Sequence, residues 1–212
     1  MKYGLGILFA LILTIPRSDI AAQDATTVLG DLRSTYDAIT GLKADFSQTM
    51  NSEYMNEPQE TSGTLVLMGD KYRVEAGVQT IVTDGEFTWV YNAAEDQLII
   101  NDYEEDETTF SISDFFQTFD ERYTVQDLTS TSTDGVEHHI LALTPTDPAS
   151  FFTGVTLWVR ATDNIITRLQ IMDANETEMT FGLDEIQINP EIAPDSFSFT
   201  PDDGTDVVDL RS

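Results

Sequence analysis

The chain has 212 residues, no cysteine, 41% hydrophobic residues and 38 acidic against 10 basic side chains, for a formal net charge of −28. That length and apolar content suit one domain with a real core and exclude wholesale disorder. So few Lys and Arg, scattered along the chain, exclude the clustered cations that nucleic-acid phosphates require. Zero Cys removes thiol catalysis, disulfide staples, zinc knuckles and lipid attachment through an N-terminal cysteine.

Residues 1–22 read as a secretory signal peptide: Lys2, an apolar run over residues 5–15, Pro16, and small residues up to Ala22. The run is short for a bilayer span, which sets cleavage against the alternative of a retained anchor. The mature chain, residues 23–212, is then an extracytoplasmic domain. Its carboxylates are spread throughout, the surface of an acidic, halophilic protein in which salt screens self-repulsion.

Residues 24–41 place Val28, Leu29, Leu32, Tyr36 and Ile39 at helical spacing, with Asp24 as the expected cap and Gly41 as the expected stop. From Lys43 the period switches to two. Short strands are expected at 43–50, 64–68, 71–76, 79–83, 86–92 and 97–102, separated by turn residues such as Gly69-Asp70, Gly77 and Asp84-Gly85, so neighbours run antiparallel. A second helical piece is expected at 112–119, where Ile112, Phe115, Phe116 and Phe119 form an apolar patch. Strands resume at 122–128, 136–144, 155–161, 165–172 and 178–188, and a short one at 197–200 closes the series. The fold class is mainly β (α+β): a single, strongly curved antiparallel sheet of about 10–11 strands, an incomplete or closed barrel with helices as its lid. A two-sheet sandwich would leave the N-terminal apolar stripe nowhere to dock.

Catalytic constellations are missing. The two histidines, His138 and His139, are adjacent on a strand and face opposite sides, so they cannot converge on one metal or proton. The acidic runs at 102–107 and 202–209 lack the spacing that folds carboxylates around calcium and read as solvated faces. No metal, cofactor or enzymatic activity is expected.

An ordered set of motifs covers nearly all of the mature chain: Leu42-Lys43-Ala44-Asp45-Phe46-Ser47-Gln48, Ser62-Gly63-Thr64-Leu65-Val66-Leu67, Lys71-Tyr72-Arg73-Val74-Glu75, Ile81-Val82-Thr83-Asp84-Gly85, Trp89-Val90-Tyr91-Asn92 and Phe197-Ser198-Phe199-Thr200-Pro201. In this order, behind an export signal, they resemble the LolA family of periplasmic outer-membrane lipoprotein carriers. The resemblance implies an incomplete antiparallel barrel with a helical lid over an apolar cavity. It also implies the partners: acylated lipoproteins, an inner-membrane lipoprotein-releasing ABC transporter, and an acceptor at the outer membrane, served by a monomer. A sensory or regulatory module of the same fold, reading lipids or lipoproteins of the envelope, is the alternative.

Acyl chains need a concave apolar surface, each buried methylene being worth roughly 0.8 kcal/mol. The expected lining is Phe46, Leu65, Leu67, Tyr72, Val74 and Ile81 on the sheet, the row Phe87, Trp89 and Tyr91, the helical Leu29, Leu32 and Tyr36, and Phe115 and Phe116 from the middle segment. LolA proteins carry an Arg-Pro pair after the Ser-Gly strand, where the Arg ties the lid to the barrel. Here Met68-Gly69-Asp70-Lys71 stands in its place, and Arg73 is expected to point outward.

Overall fold

The computed structural model describes residues 17–103, 115, 118, 119 and 121–212. The helix α1 (Arg17–Asp37) precedes β1 (Leu42–Asn51), β2 (Gln59–Met68), β3 (Lys71–Ala76), β4 (Gln79–Thr83), β5 (Phe87–Asn92) and β6 (Gln97–Asp102). After the middle segment come β7 (Tyr123–Thr133), β8 (Val136–Pro145), β9 (Phe152–Arg160), β10 (Ile165–Asp173), β11 (Glu178–Ile188) and β12 (Asp206–Asp209). The strands form one curled sheet in the order β12-β6-β5-β4-β3-β2-β1-β11-β10-β9-β8-β7, open between β7 and β12. It is therefore an incomplete barrel and not a closed one. Among the described residues twelve strands replace the ten or eleven expected, and β12 pairs parallel to β6 where every pairing was expected antiparallel.

Several elements differ locally from expectation: β2 begins at Gln59 where 64 was expected, β7 runs to Thr133 where 128 was expected, β9 begins at Phe152 where 155 was expected, and the helix and residues 197–200 differ more. The helix begins at Arg17, so Asp24 lies inside it instead of capping it. The segment contains no Pro, and nothing stops helical hydrogen bonds from starting upstream. At the other end the helix stops at Asp37, and Asn189, in the left-handed conformation at φ 51°, closes the corner in place of Gly41. Its Oδ1 accepts from the Thr40 N–H at 2.6 Å and the Gly41 N–H at 3.2 Å, while its amide nitrogen donates to the Ala38 carbonyl at 3.2 Å. Residues 197–200 do not form a strand: Phe197 ends the 3-10 turn Pro194–Phe197, and the Ser198 N–H turns back to the Asp195 carbonyl at 3.3 Å where a strand would give it to a neighbour.

The sheet's two halves are built differently. From β1 through β2, β3, β4, β5 and β6 to β12 no pairing carries a register shift. From β1 through β11, β10, β9 and β8 to β7 there are bulges, with Glu185, Thr167, Thr153 and Gln126 as the extra residues. Bulges bend and twist a strand, so this half wraps around α1, which packs on β7. The main core lies there: Leu32 and Tyr36 of α1 join Leu42, Phe46, Leu65, Leu141, Leu157, Ile166, Ile171 and Phe181.

Gly63 marks the tightest approach, because a Cβ there would stand 1.8 Å from the Glu75 carbonyl oxygen. Gly63→Ala should lower stability by about 1–3 kcal/mol or more through forced separation of β2 and β3. Gly30, exposed on α1 with nothing within 4 Å of such an atom, gives the opposite sign: Gly30→Ala should add roughly 0.5–1 kcal/mol through helix propensity. Thermal unfolding of the two variants at fixed salt measures both.

Candidate functional site

Because directly opposed residues on paired strands share a face, the register assigns every side chain of β2 to β6 to one side of the sheet. Leu65 pairs with Val74, Val74 with Ile81, Ile81 with Val90, and Val90 with Ile99. Leu65 belongs to the core beneath α1, so this is the inner face. Of the expected lining, Leu32, Tyr36, Phe46, Leu65 and Leu67 are buried there, with Leu29, Tyr72 and Val74 half-buried against them. Phe115 joins the same cluster at 2% exposure and meets the ring of Tyr123 at 5.6 Å. Ile81 lies on the same face but outside that cluster. Phe116 and most of the expected helix at 112–119 lie outside the described residues, as do residues 104–107 of the acidic run.

The aromatic row is on the other side. Trp89 pairs with Val82 and Ile100, Tyr91 with Thr80 and Leu98, and Phe87 with Asp102, all neighbours facing away from Ile81. Phe87, Trp89 and Tyr91 are thus outer-face residues and do not line the inner surface. The physical reason is the hairpin between β4 and β5. Thr83 pairs with Thr88, leaving an even loop of Asp84 to Phe87, and an even loop puts even-numbered residues of β5 on the face of the odd-numbered residues of β4. Asp84 holds this loop by accepting from the N–H groups of Glu86 at 2.9 Å and Phe87 at 2.8 Å, and the buried Thr83 hydroxyl donates to the Phe87 carbonyl at 2.7 Å. Val90 and Ile99 therefore replace the aromatic row on the inner face, and counting across this hairpin is the signal that finds them.

The outer row is covered by the C-terminal segment. Phe197 is 3% exposed, its 3-10 turn packs on β3, and Phe199 stacks on Tyr91 at 4.9 Å. Val82, Leu98 and Ile100 are buried on the same face. Arg73 points outward as expected: its Nε donates to Glu75 at 2.7 Å, and its guanidinium reaches the Ser196 carbonyl at 3.5 Å. Arg211 lies over the Phe87 ring at 4.8 Å. These two cations hold the C-terminal strap to the sheet's back.

A tyrosine ties α1 to the sheet's inner face. The Ile166 N–H, at the β10 bulge, donates to the Tyr36 hydroxyl at 3.2 Å in a buried environment. Burial is the main cause that pushes the Tyr36 hydroxyl well above the ordinary tyrosine range, so it stays neutral and available to accept. Burial raises the Tyr72 hydroxyl too, with Tyr103 nearby adding to it. Among the described residues no group of three His, Asp or Glu side chains could hold a metal ion. His139 faces inward opposite Ser130, with Nδ1 and Oγ 3.3 Å apart, and His138 pairs with Arg160 on the other face.

The family model of the outer membrane lipoprotein carrier protein LolA matches residues 37–200, which takes in β1 to β11 and the C-terminal turn. The chain belongs to the LolA family. An outer-membrane lipoprotein carrier protein of Alkalilimnicola ehrlichii is 27% identical, covering 99% of this chain and 96% of that relative. One of Chromohalobacter salexigens is 25% identical over 89% of this chain and 90% of its own length. Among solved structures, an uncharacterized conserved protein from Thermus thermophilus superposes with a TM-score of 0.56 at 14% identity, covering 88% of this chain and 99% of that one, a likeness of fold. The relatives of Alkalilimnicola ehrlichii and Chromohalobacter salexigens are lipoprotein carriers by name.

Tyr36→Phe keeps the ring and removes the acceptor, leaving a buried N–H without this partner at a cost of about 1–3 kcal/mol. Hydrogen exchange at the Ile166 amide should accelerate while the rest of β10 stays protected. The pH dependence gives an independent reading. A tyrosine whose pKa is raised on folding contributes stability below its unfolded value of about 10, and that contribution is lost as pH rises further. The wild-type minus Tyr36→Phe difference in unfolding free energy should therefore shrink above that pH, and a pH-independent difference would show that Tyr36 acts through packing alone.

Proposed function

We propose that this protein is a periplasmic carrier that binds the acyl chains of lipoproteins on its inner face and carries them from the inner membrane to the outer membrane. The observation that supports this reading best, beside family membership, is the state of the inner face. Under α1 it is a closed core, but from β3 outward Tyr72, Val74, Ile81, Val90 and Ile99 are apolar and only half-buried. A finished core would not leave such a surface, and a carrier needs one that acyl chains can enter and leave.

In this reading residues 1–22 are an export signal. Cleavage after Ala22 leaves the α1 turns that bear Leu29, Leu32 and Tyr36 on the mature chain. The lipoprotein arrives from an inner-membrane ABC transporter and leaves to an outer-membrane acceptor. The protein works as a monomer without cofactor or catalysis, because the task is transfer of a ligand and not of a bond. Its charge keeps copies apart.

Native mass spectrometry of the mature protein, co-expressed with a triacylated lipoprotein, tests the proposal. A one-to-one complex is expected, and it should vanish when the lipoprotein's acylated Cys is replaced by Ser. Capture of the unacylated form to the same extent would overturn the reading. The acidic surface carries its own expectation: the unfolding temperature should rise between low and molar KCl as carboxylate repulsion is screened. A temperature independent of KCl would remove the salt-adapted reading.

A further inference from the structure

The inner face carries a pattern narrower than a general apolar lining. Following the register from β2 to the edge strand, Leu65, Val74, Ile81, Val90, Ile99 and Val208 are successive cross-strand neighbours. Every one is apolar. On β12, Val208 is half-buried and shares this face, whereas Val207 faces outward at 46% exposure.

The rows on either side are polar once the register passes β3. Thr83, Thr88 and Asn101 pair along one flank, and Gln79, Asn92 and Gln97 along the other. Neighbouring strands stand about 4.8 Å apart, so the apolar file from Val74 to Val208 is roughly 19 Å long, while the flanking rows lie only about 6.8 Å to each side along the strands.

We propose that this file is a track for one linear alkyl chain lying across the strands, its methyl end toward Leu65 and its polar end at the β12 edge. The inference rests on the carrier reading and deepens it: of a client's acyl chains, the track takes one. A second chain beside the first would lie over the Thr88 hydroxyl and the carboxamides of Gln79, Asn92, Gln97 and Asn101 and strip their water without replacing those hydrogen bonds. Thr83, fully buried with its hydroxyl bonded to the Phe87 carbonyl, leaves no bed beside Ile81. Direction follows from burial. Leu65, at 2% exposure, closes one end beneath the core, and Val208 on a four-residue edge strand leaves the other end open. At that end Gln97 donates to Asp206 at 3.1 Å, a polar border suited to a headgroup in water.

Calorimetric titration of the mature protein with one peptide in monopalmitoylated and dipalmitoylated forms tests the track. The wild type should bind both within threefold of each other, since the second chain finds no apolar bed. Val90→Asn and Val208→Asn should each weaken monopalmitoyl binding at least tenfold. Val208 lies on the short edge strand, so its variant should unfold at the wild-type temperature and exclude misfolding as the cause. The double variant Thr88→Val with Asn101→Leu widens the file and should favour the dipalmitoyl form at least tenfold. If the wild type binds the monopalmitoyl peptide and both Asn variants match it within twofold, the track is overturned and the carrier reading stands on other parts of the inner face. If the widened variant gains nothing for the dipalmitoyl form, the single-file width is wrong. Failure of the wild type to bind either peptide would overturn the carrier reading itself.

Discussion

An unbroken hydrogen-bond register across seven strands, from β1 to β12, decides what each face of this sheet can do. Side chains alternate with period two, and a slip of one residue would exchange the faces. In this register the large aromatics of β5 fall on the back and the branched aliphatics on the front. The front is consequently a smooth apolar file of Val and Ile, and the back a set of rings that need a cover. The C-terminal segment supplies that cover through Phe197 and Phe199, and β12 then returns to the sheet edge as a parallel strand.

The other half of the sheet depends on breaking the same rule. An extra residue at Glu185, Thr167, Thr153 or Gln126 turns the strand and takes a backbone group out of the ladder. Such a group must find another partner if buried. The Ile166 N–H finds the Tyr36 hydroxyl, so the bulge that curls β10 around the helix also furnishes a point at which the helix is tied down. Curvature and attachment have one origin. After β2 this chain has Met68-Gly69-Asp70-Lys71, and an uncharged hydroxyl on the helix makes a bond from helix to sheet.

Much of this was legible in the sequence. The switch from helical spacing to alternation after Gly41 located the start of β1 and the turn residues located β3 to β6 closely, whereas the helix and β2 begin upstream of where they were expected, and the ordered motifs pointed to the family. The lining was half legible. The inner-face position of Phe46, Leu65, Leu67, Tyr72 and Val74 follows from alternation within a strand and that of Leu32 and Tyr36 from helical spacing, and five of the seven are closed core beneath α1. The face of the aromatic row does not follow in this way, because it depends on how β5 is counted from β4. Even the two-residue turn expected at Asp84-Gly85 would oppose Ile81 to Thr88, so parity across the hairpin separates Ile81 from Trp89, and ring size is no guide to the inner side. β12 was hidden for another reason. Val207 and Val208 sit among Asp residues, and the strand exists only because β6, more than a hundred residues earlier, offers its edge.

The placement of the aromatics also resolves a physical conflict that any protein with an open apolar surface must meet. Half-buried Val and Ile contribute less to folding than fully buried ones, since the transfer free energy scales with area removed from water. A sheet held only by its inner face would therefore weaken as that face was left open. Here β3 to β6 are held from behind: Val82 and Leu98 are completely buried, Ile100 and Phe197 nearly so, and Arg73 ties the covering turn to the strand beneath it. Folding of this half draws on the outer face, and the inner file is released from that duty. The same residues could not serve both purposes, because a surface packed well enough to hold the fold would have no room left for a ligand.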